Sequence, residues 1–268
     1  MAREGDPFGD VENAGEAFVD AVIRALEARA AEPAMQRIVT AYLDALDWPG
    51  DGLHVEVGAG TGAIARAMAA RAGSGRVVAT DPSPALLAAG RELARDLPNL
   101  AFEVADGAGL PFKARSVDNL VMHTVLSHVP DPTILLREAA RVLKSGGRLV
   151  VCDADFAKTS LSSGPGDPLQ ACAEFFAHYF VTDAHLVARL RDLLREADFK
   201  PGPLRIDPRV IAEGQGAMTW VGLGGRRMVE MGLIGQDLAD ALVAEHDRRI
   251  AEGRLYGFQP FATVISVR

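Results

Sequence analysis

The stretch "LHVEVGAGTGAIARAMAA", residues 53–70, decides the architecture. A short apolar run stops at three glycines spaced by two, and a small-residue segment with helical spacing follows at once. That order predicts a strand, a tight turn and a helix. Gly58, Gly60 and Gly62 let the backbone turn and let a ligand approach it closely. The following helix offers free N–H groups at its start to a polar or negative group. "GAGTGA" also satisfies the dinucleotide fingerprint, and Asp81 lies 21 residues past Gly60, where an acid grips a ribose. At this point a nicotinamide or flavin enzyme stays open, as does a turn with no ligand.

Outward from this stretch, residues 10–31 and 33–47 read as two helices broken at Pro33. After "WPGDG" a strand–helix alternation begins. "GSGRVVAT" gives a second strand, and "PSPALLAAGRELARDL" a helix with Pro84 in its first turn. "LAFEVA" and "VDNLVMH" are further strands, "DPTILLREAARVL" a helix with Asp131 as N-cap, and "RLVVCDA" a fifth strand. Short apolar strands alternating with helices imply a parallel sheet covered on both faces. After residue 155 the rhythm breaks into a loop, the helices "LQACAEFFAHYF" and "DAHLVARLRDLLREADF", and the strand "GPLRID". Residues 208–257 look mostly helical, and "FATVISV" closes the chain as a strand.

Composition narrows the partners. The 268 residues carry a net charge of −8 and a pI of about 5.3, against a nucleic-acid or anionic-membrane partner. Cys152 and Cys172 lack zinc spacing, so no metal is expected, and two reduced thiols fit a cytoplasmic protein. No run approaches the roughly 20 apolar residues of a membrane helix, and the N-terminus has no apolar leader core.

Three further features separate the ligand readings. Glu56, two residues before Gly58, would repel a pyrophosphate and suits a ligand with nearby positive charge. "ADGAGLPF" places Asp106 after the third strand, where an acid can accept from an adenine amino group. "VMHTVLSHVPDP" ends the fourth strand and leads to "VLKSGGRLVV". In this order the stretches resemble the class I S-adenosylmethionine-dependent methyltransferases, in the small-molecule branch that includes the ubiquinone and menaquinone biosynthesis enzymes. The resemblance covers residues 53–155 closely; "LREADFKPGPLRI" and "YGFQPFATVISV" look like the family's last helix and paired final strands, and the N-terminal helices and residues 208–257 are covered only loosely.

The resemblance implies a Rossmann-like, doubly wound α/β sheet of seven strands, the last antiparallel, with N-terminal helices and an α-helical lid insertion. Residues 1–50 would pack on a cofactor-binding core, 51–155. Residues 156–257 would form the lid and acceptor region, including the last core helix and sixth strand, and 258–268 the final strand. Glu56, Gly58, Ala59, Gly60, Thr61 and Gly62 would lie under the methionine portion of S-adenosylmethionine. Asp81, beside Pro82, would hold the ribose hydroxyls, and Leu86 would pack on the adenine. Asp106 and Gly107 would read the adenine edge. His123 and Thr124 would approach the methionine amino group, His123 through its backbone. Methyl transfer to an O, N or C atom of a small metabolite would leave S-adenosylhomocysteine. The resemblance leaves a monomer or homodimer open.

A general base is needed only for a hydroxyl or a carbon acid. Of six histidines, His178 and His185 stand beside the expected acceptor site and are the base candidates. His54 reads as structural, His128 as packing and His246 as part of a solvated helix. Trp220 and Met218 read as core or acceptor pocket. The rivals are a non-methylating cofactor-binding protein or cyclase-type catalyst on the same fold, and an NAD-dependent oxidoreductase.

Overall fold

A computed structural model describes residues 6–9, 11, 13, 15–213, 216–217 and 219–268. Met218 lies outside the described residues. Helices α1 (Glu16–Ala31) and α2 (Pro33–Leu43) come first, separated by Glu32 in extended backbone ahead of Pro33. Strand β1 (Leu53–Val57), helix α3 (Ala63–Ala69), strand β2 (Arg76–Asp81) and helix α4 (Pro84–Leu93) follow. Strands β3 (Leu100–Val104) and β4 (Val117–His123) lead to α5 (Pro132–Val142) and β5 (Leu143–Ala154). Asp131 caps α5, its carboxylate accepting from the Thr133 N–H at 2.9 Å.

The β1–β5 ladder is parallel, in the order β3-β2-β1-β4-β5. Its strands are apolar on both faces. In β4, Leu120 and Met122 enter the layer under α5 and α7, while Val121 enters the layer under α2, α3 and α6. The remaining elements are β6 (Ser160–Leu161), α6 (Pro168–Tyr179), α7 (Leu186–Glu196), β7 (Lys200–Pro201), β8 (Arg205–Ile211), α8 (Gly224–Glu230), α9 (Gln236–Ala251) and β9 (Gly257–Val267).

The sheet has nine strands among the described residues rather than the expected seven. The physical reason is the length of β9, whose 11 residues offer more edge than β5 and β8 fill. Two-residue strands β6 and β7 pair with what remains. The expected direction holds: β9 runs antiparallel to both β5 and β8, so β8 points the same way as β1–β5. Because Phe261 and Thr263 pair with both β5 and β8, those two strands flank β9. No described helix is long and apolar enough to cross a membrane.

One expectation is corrected in α9. His246 is fully buried, not solvated, because Ala239, Leu242, His246 and Arg249 recur on one helical face.

Candidate active site

A cavity of about 390 Å³ opens at the carboxyl ends of β1, β2 and β4, inside the range of roughly 300–1,000 Å³ for small-molecule sites. This is where ligands sit in open α/β sheets. Of the expected cofactor residues, Glu56, Gly58, Ala59, Gly60, Thr61, Asp81, Pro82, Leu86, Asp106, Gly107, His123 and Thr124 all border it. Gly62 does not; it caps the start of α3 at φ 72° and faces the Phe102 ring.

The turn is held by acids. Asp81 Oδ2 accepts from the Gly60 N–H at 2.8 Å, and Oδ1 from the Ser83 N–H at 2.9 Å. Asp81 is thus both a turn former and a carboxylate at the cavity. Gly60 sits at φ 54°, and a Cβ there would lie 2.7 Å from Leu26 of α1. At that positive φ a side chain would be strained, and Leu26 would have to shift to make room for it. Glu56 Oε2 accepts from the Ala65 N–H in the first turn of α3 at 2.7 Å. Burial pushes the Glu56 carboxyl up to about 8, against that hydrogen bond. Asp106 is exposed, and its Oδ1 accepts from the Ala108 N–H at 2.9 Å.

At the end of β4 the ring of His123 is turned inward, its Nδ1 3.0 Å from the Tyr42 hydroxyl and its plane beside Phe261. Burial, with Arg29 adding, pushes this imidazole down to about 3, so it is neutral at ordinary pH. Thr124 adopts φ 54°, a left-handed conformation costly for a β-branched residue. Its N–H donates to the Cys152 carbonyl at 2.8 Å, and its Oγ1 accepts from Arg29 at 3.0 Å. Such strain is held only where surrounding structure over-determines it.

His178 and His185 do not border the cavity; both are exposed. Helix α6 turns Phe175 and Phe176 inward, and the position two residues on falls on the outer face. His128, read as packing, does border the cavity, with Nδ1 2.8 Å from Asp6. His54 is buried beside Asn119, as a structural residue.

The opposite wall comes from residues that local sequence does not mark. Helix α1 presents Arg29, which burial and the nearby Arg209 hold down to about 10. Glu27 of α1 accepts from Thr61 Oγ1 at 2.5 Å and from Arg66 at 2.7 Å, tying the helix to the glycine turn. Arg209 of β8 makes two bonds to Glu32, at 2.6 and 2.7 Å, and one to Gln259 at 2.8 Å. It also lies 5.9 Å from the centre of the Trp220 ring, which is buried and borders the cavity. As charged residues at helical or strand spacing, these carry no signal separating them from a solvated face.

Residues 55–151 match a family model described as a methyltransferase domain. The chain is similar to the class I S-adenosylmethionine-dependent methyltransferases. An uncharacterized 37.1 kDa protein in transposon TN4556 of Streptomyces fradiae is 36% identical over 149 residues, 53% of this chain and 42% of that protein. The demethylmenaquinone methyltransferase of Tropheryma whipplei is 41% identical over 99 residues, 37% of this chain and 40% of that enzyme. The chain thus spans about two fifths of the length of these relatives. Among solved structures, phosphoethanolamine N-methyltransferase 2 of Haemonchus contortus, with S-adenosylhomocysteine bound, superposes with a TM-score of 0.60. That likeness covers 97% of this chain and 60% of that one at 16% identity, so it speaks for the fold.

Proposed function

We propose that the protein is an S-adenosylmethionine-dependent methyltransferase acting on a small organic molecule at an O, N or C atom. The observation that carries this reading is the joint placement of the bare turn at Gly58–Gly60, Asp81 and Asp106 around one cavity. The fit is physical. A side chain at Gly60 would be strained at its positive φ, and Asp81 places a carboxylate beside that bare turn. The matched domain and the similarity to a demethylmenaquinone methyltransferase support it.

On this reading the glycine turn and the backbone at His123 hold the amino-acid end of the cofactor. Asp81 holds its ribose, with Leu86 and Asp106 at its base. When bound, the cofactor supplies an electrophilic methyl group on a positively charged sulfur. The chain's own work is alignment and exclusion of water, which lowers such barriers by about 7–11 kcal/mol in favourable cases. Helix α1 closes the turn from one side through Glu27 and Arg29. Phe156, Phe176 and Trp220 give the acceptor side apolar walls. The helices between β5 and β9 then serve as the acceptor-binding region.

Calorimetric titration of the protein with S-adenosylmethionine and, in parallel, with NAD tests the reading. Binding of the first and none of the second is expected. Binding of NAD alone, or of neither, overturns it.

A further inference from the structure

We propose that Arg29 is the specificity-determining residue of the acceptor side and receives a carboxylate, so that the methyl acceptor is a carboxylic acid on an apolar, ring-bearing body. The proposal rests on the methyl-transfer reading above.

Arg29 comes from the last turn of α1 and borders the cavity, partly buried. Among the described residues its guanidinium makes one hydrogen bond, from Nη2 to Thr124 Oγ1 at 3.0 Å, and no ion pair. The left-handed backbone of Thr124, at φ 54°, fixes that hydroxyl. Nε and Nη1 are left without a partner there, although a guanidinium carries five donors. Burial and Arg209 hold the group down to about 10, which still leaves it charged near neutral pH. A charge withdrawn from water is normally paired. Glu32 is the acid that acts on Arg29 most strongly, but both of its oxygens accept from Arg209, at 2.6 and 2.7 Å. Asp153 also acts on it, yet that carboxylate accepts from Ser127 and Ala154 and does not border the cavity. The charge of Arg29 is therefore left for a group that enters the cavity.

Placement assigns that group to the acceptor. The cofactor's proposed partners, the glycine turn and Asp81, follow β1 or end β2. The charges that act on Arg29 come from the other direction, Asp153 from β5 and Arg209 from β8. In the sheet, β5, β9 and β8 lie beyond β4 as seen from β1, and Thr124 follows β4 at the divide. Charge balance points the same way. The cofactor's amino-acid end carries an ammonium beside its own carboxylate, and its sulfur is positive. A second cation in the same cavity is balanced by an anionic acceptor.

The chemistry of the wall selects the anion. A planar guanidinium matches a carboxylate in shape and charge. A doubly charged phosphate would find one uncompensated cation and the carboxylate of Glu32, which also borders the cavity. Around Arg29 the remaining wall is apolar, with Met35, Phe156, Phe176 and Trp220, and suits a ring.

Calorimetry on the full chain with 3-phenylpropionate and with its uncharged amide, each with and without S-adenosylhomocysteine, tests the proposal. In the wild type the acid is expected to bind about tenfold or more tighter than the amide, as a charge-assisted pair demands. Arg29→Met is expected to abolish that preference. Arg29→Lys, which keeps the charge and loses the planar fork, is expected to keep only part of it, and carries the comparison if Arg29→Met does not fold. Equal affinity for acid and amide, binding of neither, or a preference untouched by these substitutions overturns the proposal. So does a loss that falls as heavily on S-adenosylmethionine as on the acid, because the guanidinium then serves the cofactor's own carboxylate. If the wild type binds neither S-adenosylmethionine nor S-adenosylhomocysteine while the Arg29-dependent preference is seen, the carboxylate site stands and it is the methyl-transfer reading that falls.

Discussion

The two walls of the cavity are built in different ways. On one side, Glu56, Gly58, Gly60, Asp81 and Asp106 stand at strand ends or in the turns after them. Their groups are either backbone or acids two or three bonds from it. On the other side, side chains from remote segments pair with one another, Asp6 with His128 and Arg209 with Glu32, beside Arg29. Arg209 and Glu32 are 177 residues apart. The first wall is rigid because a buried parallel sheet positions it. The second is only as firm as the ion pairs and packing that hold α2 against β8 and β9. This difference suggests that a common cofactor is held by the first wall and a particular acceptor by the second.

The comparison breaks most clearly at Arg209. Arg209→Met strands the Glu32 carboxylate in a half-buried position, and losing one partner of a buried pair costs about 3–5 kcal/mol. Chemical denaturation should register that loss, while affinity for S-adenosylmethionine stays within about threefold. A matching fall in affinity would mean that the two walls are not separable.

Glu56 sharpens the first wall through pH. Its folded-state value of about 8 lies above the ordinary 4.5, so its contribution to stability is complete below pH 4.5 and is lost as pH rises through about 8. Between pH 6 and pH 9 the ligand-free protein should lose roughly 2–3 kcal/mol from this group. Glu56→Gln should flatten that part of the Tm–pH curve. A curve as steep as that of the wild type would show that Glu56 is ionised throughout.

Asp81→Ala removes the carboxylate assigned to the ribose. With charged hydrogen bonds contributing roughly 1.5–3 kcal/mol each, calorimetry should find S-adenosylmethionine affinity about 100-fold weaker. Circular dichroism should report the fold intact. Unchanged affinity would leave Asp81 as a turn former only.

The smallest effect is expected at Tyr42→Phe, which takes the hydroxyl from His123 Nδ1. A loss of about 1 kcal/mol in stability follows from one unmade buried hydrogen bond. Cofactor affinity should hold if His123 serves the site through its backbone, and a tenfold fall would assign the role to the ring.

The strand–turn–helix at residues 53–70 was legible because its physics is local. Strand periodicity, the freedom of glycine and the spacing to Asp81 all act within a few residues or along one βαβ unit. Residues that the nearby backbone brings to the cavity, such as Gly60, Asp81 and Asp106, could therefore be named in advance. The histidines could not be sorted in this way. His178 and His185 had the right neighbourhood, but the rotation of α6 and the start of α7 leave both on the surface. His128, by contrast, borders the cavity, and Asp6, 122 residues away, lies at its Nδ1.

The sequence by itself determined the doubly wound parallel sheet and the acidic, glycine-lined half of the cavity. Short-range sterics and hydrophobic periodicity leave few alternatives there. Tertiary structure alone decided the two extra strands on β9, the burial of His246 and the Arg209–Glu32 clasp. It also decided that His128 borders the cavity while His178 and His185 do not. Each of these depends on which side chain a distant segment delivers, and a hydrogen bond of 2.8 Å between remote residues leaves no periodic trace in the chain.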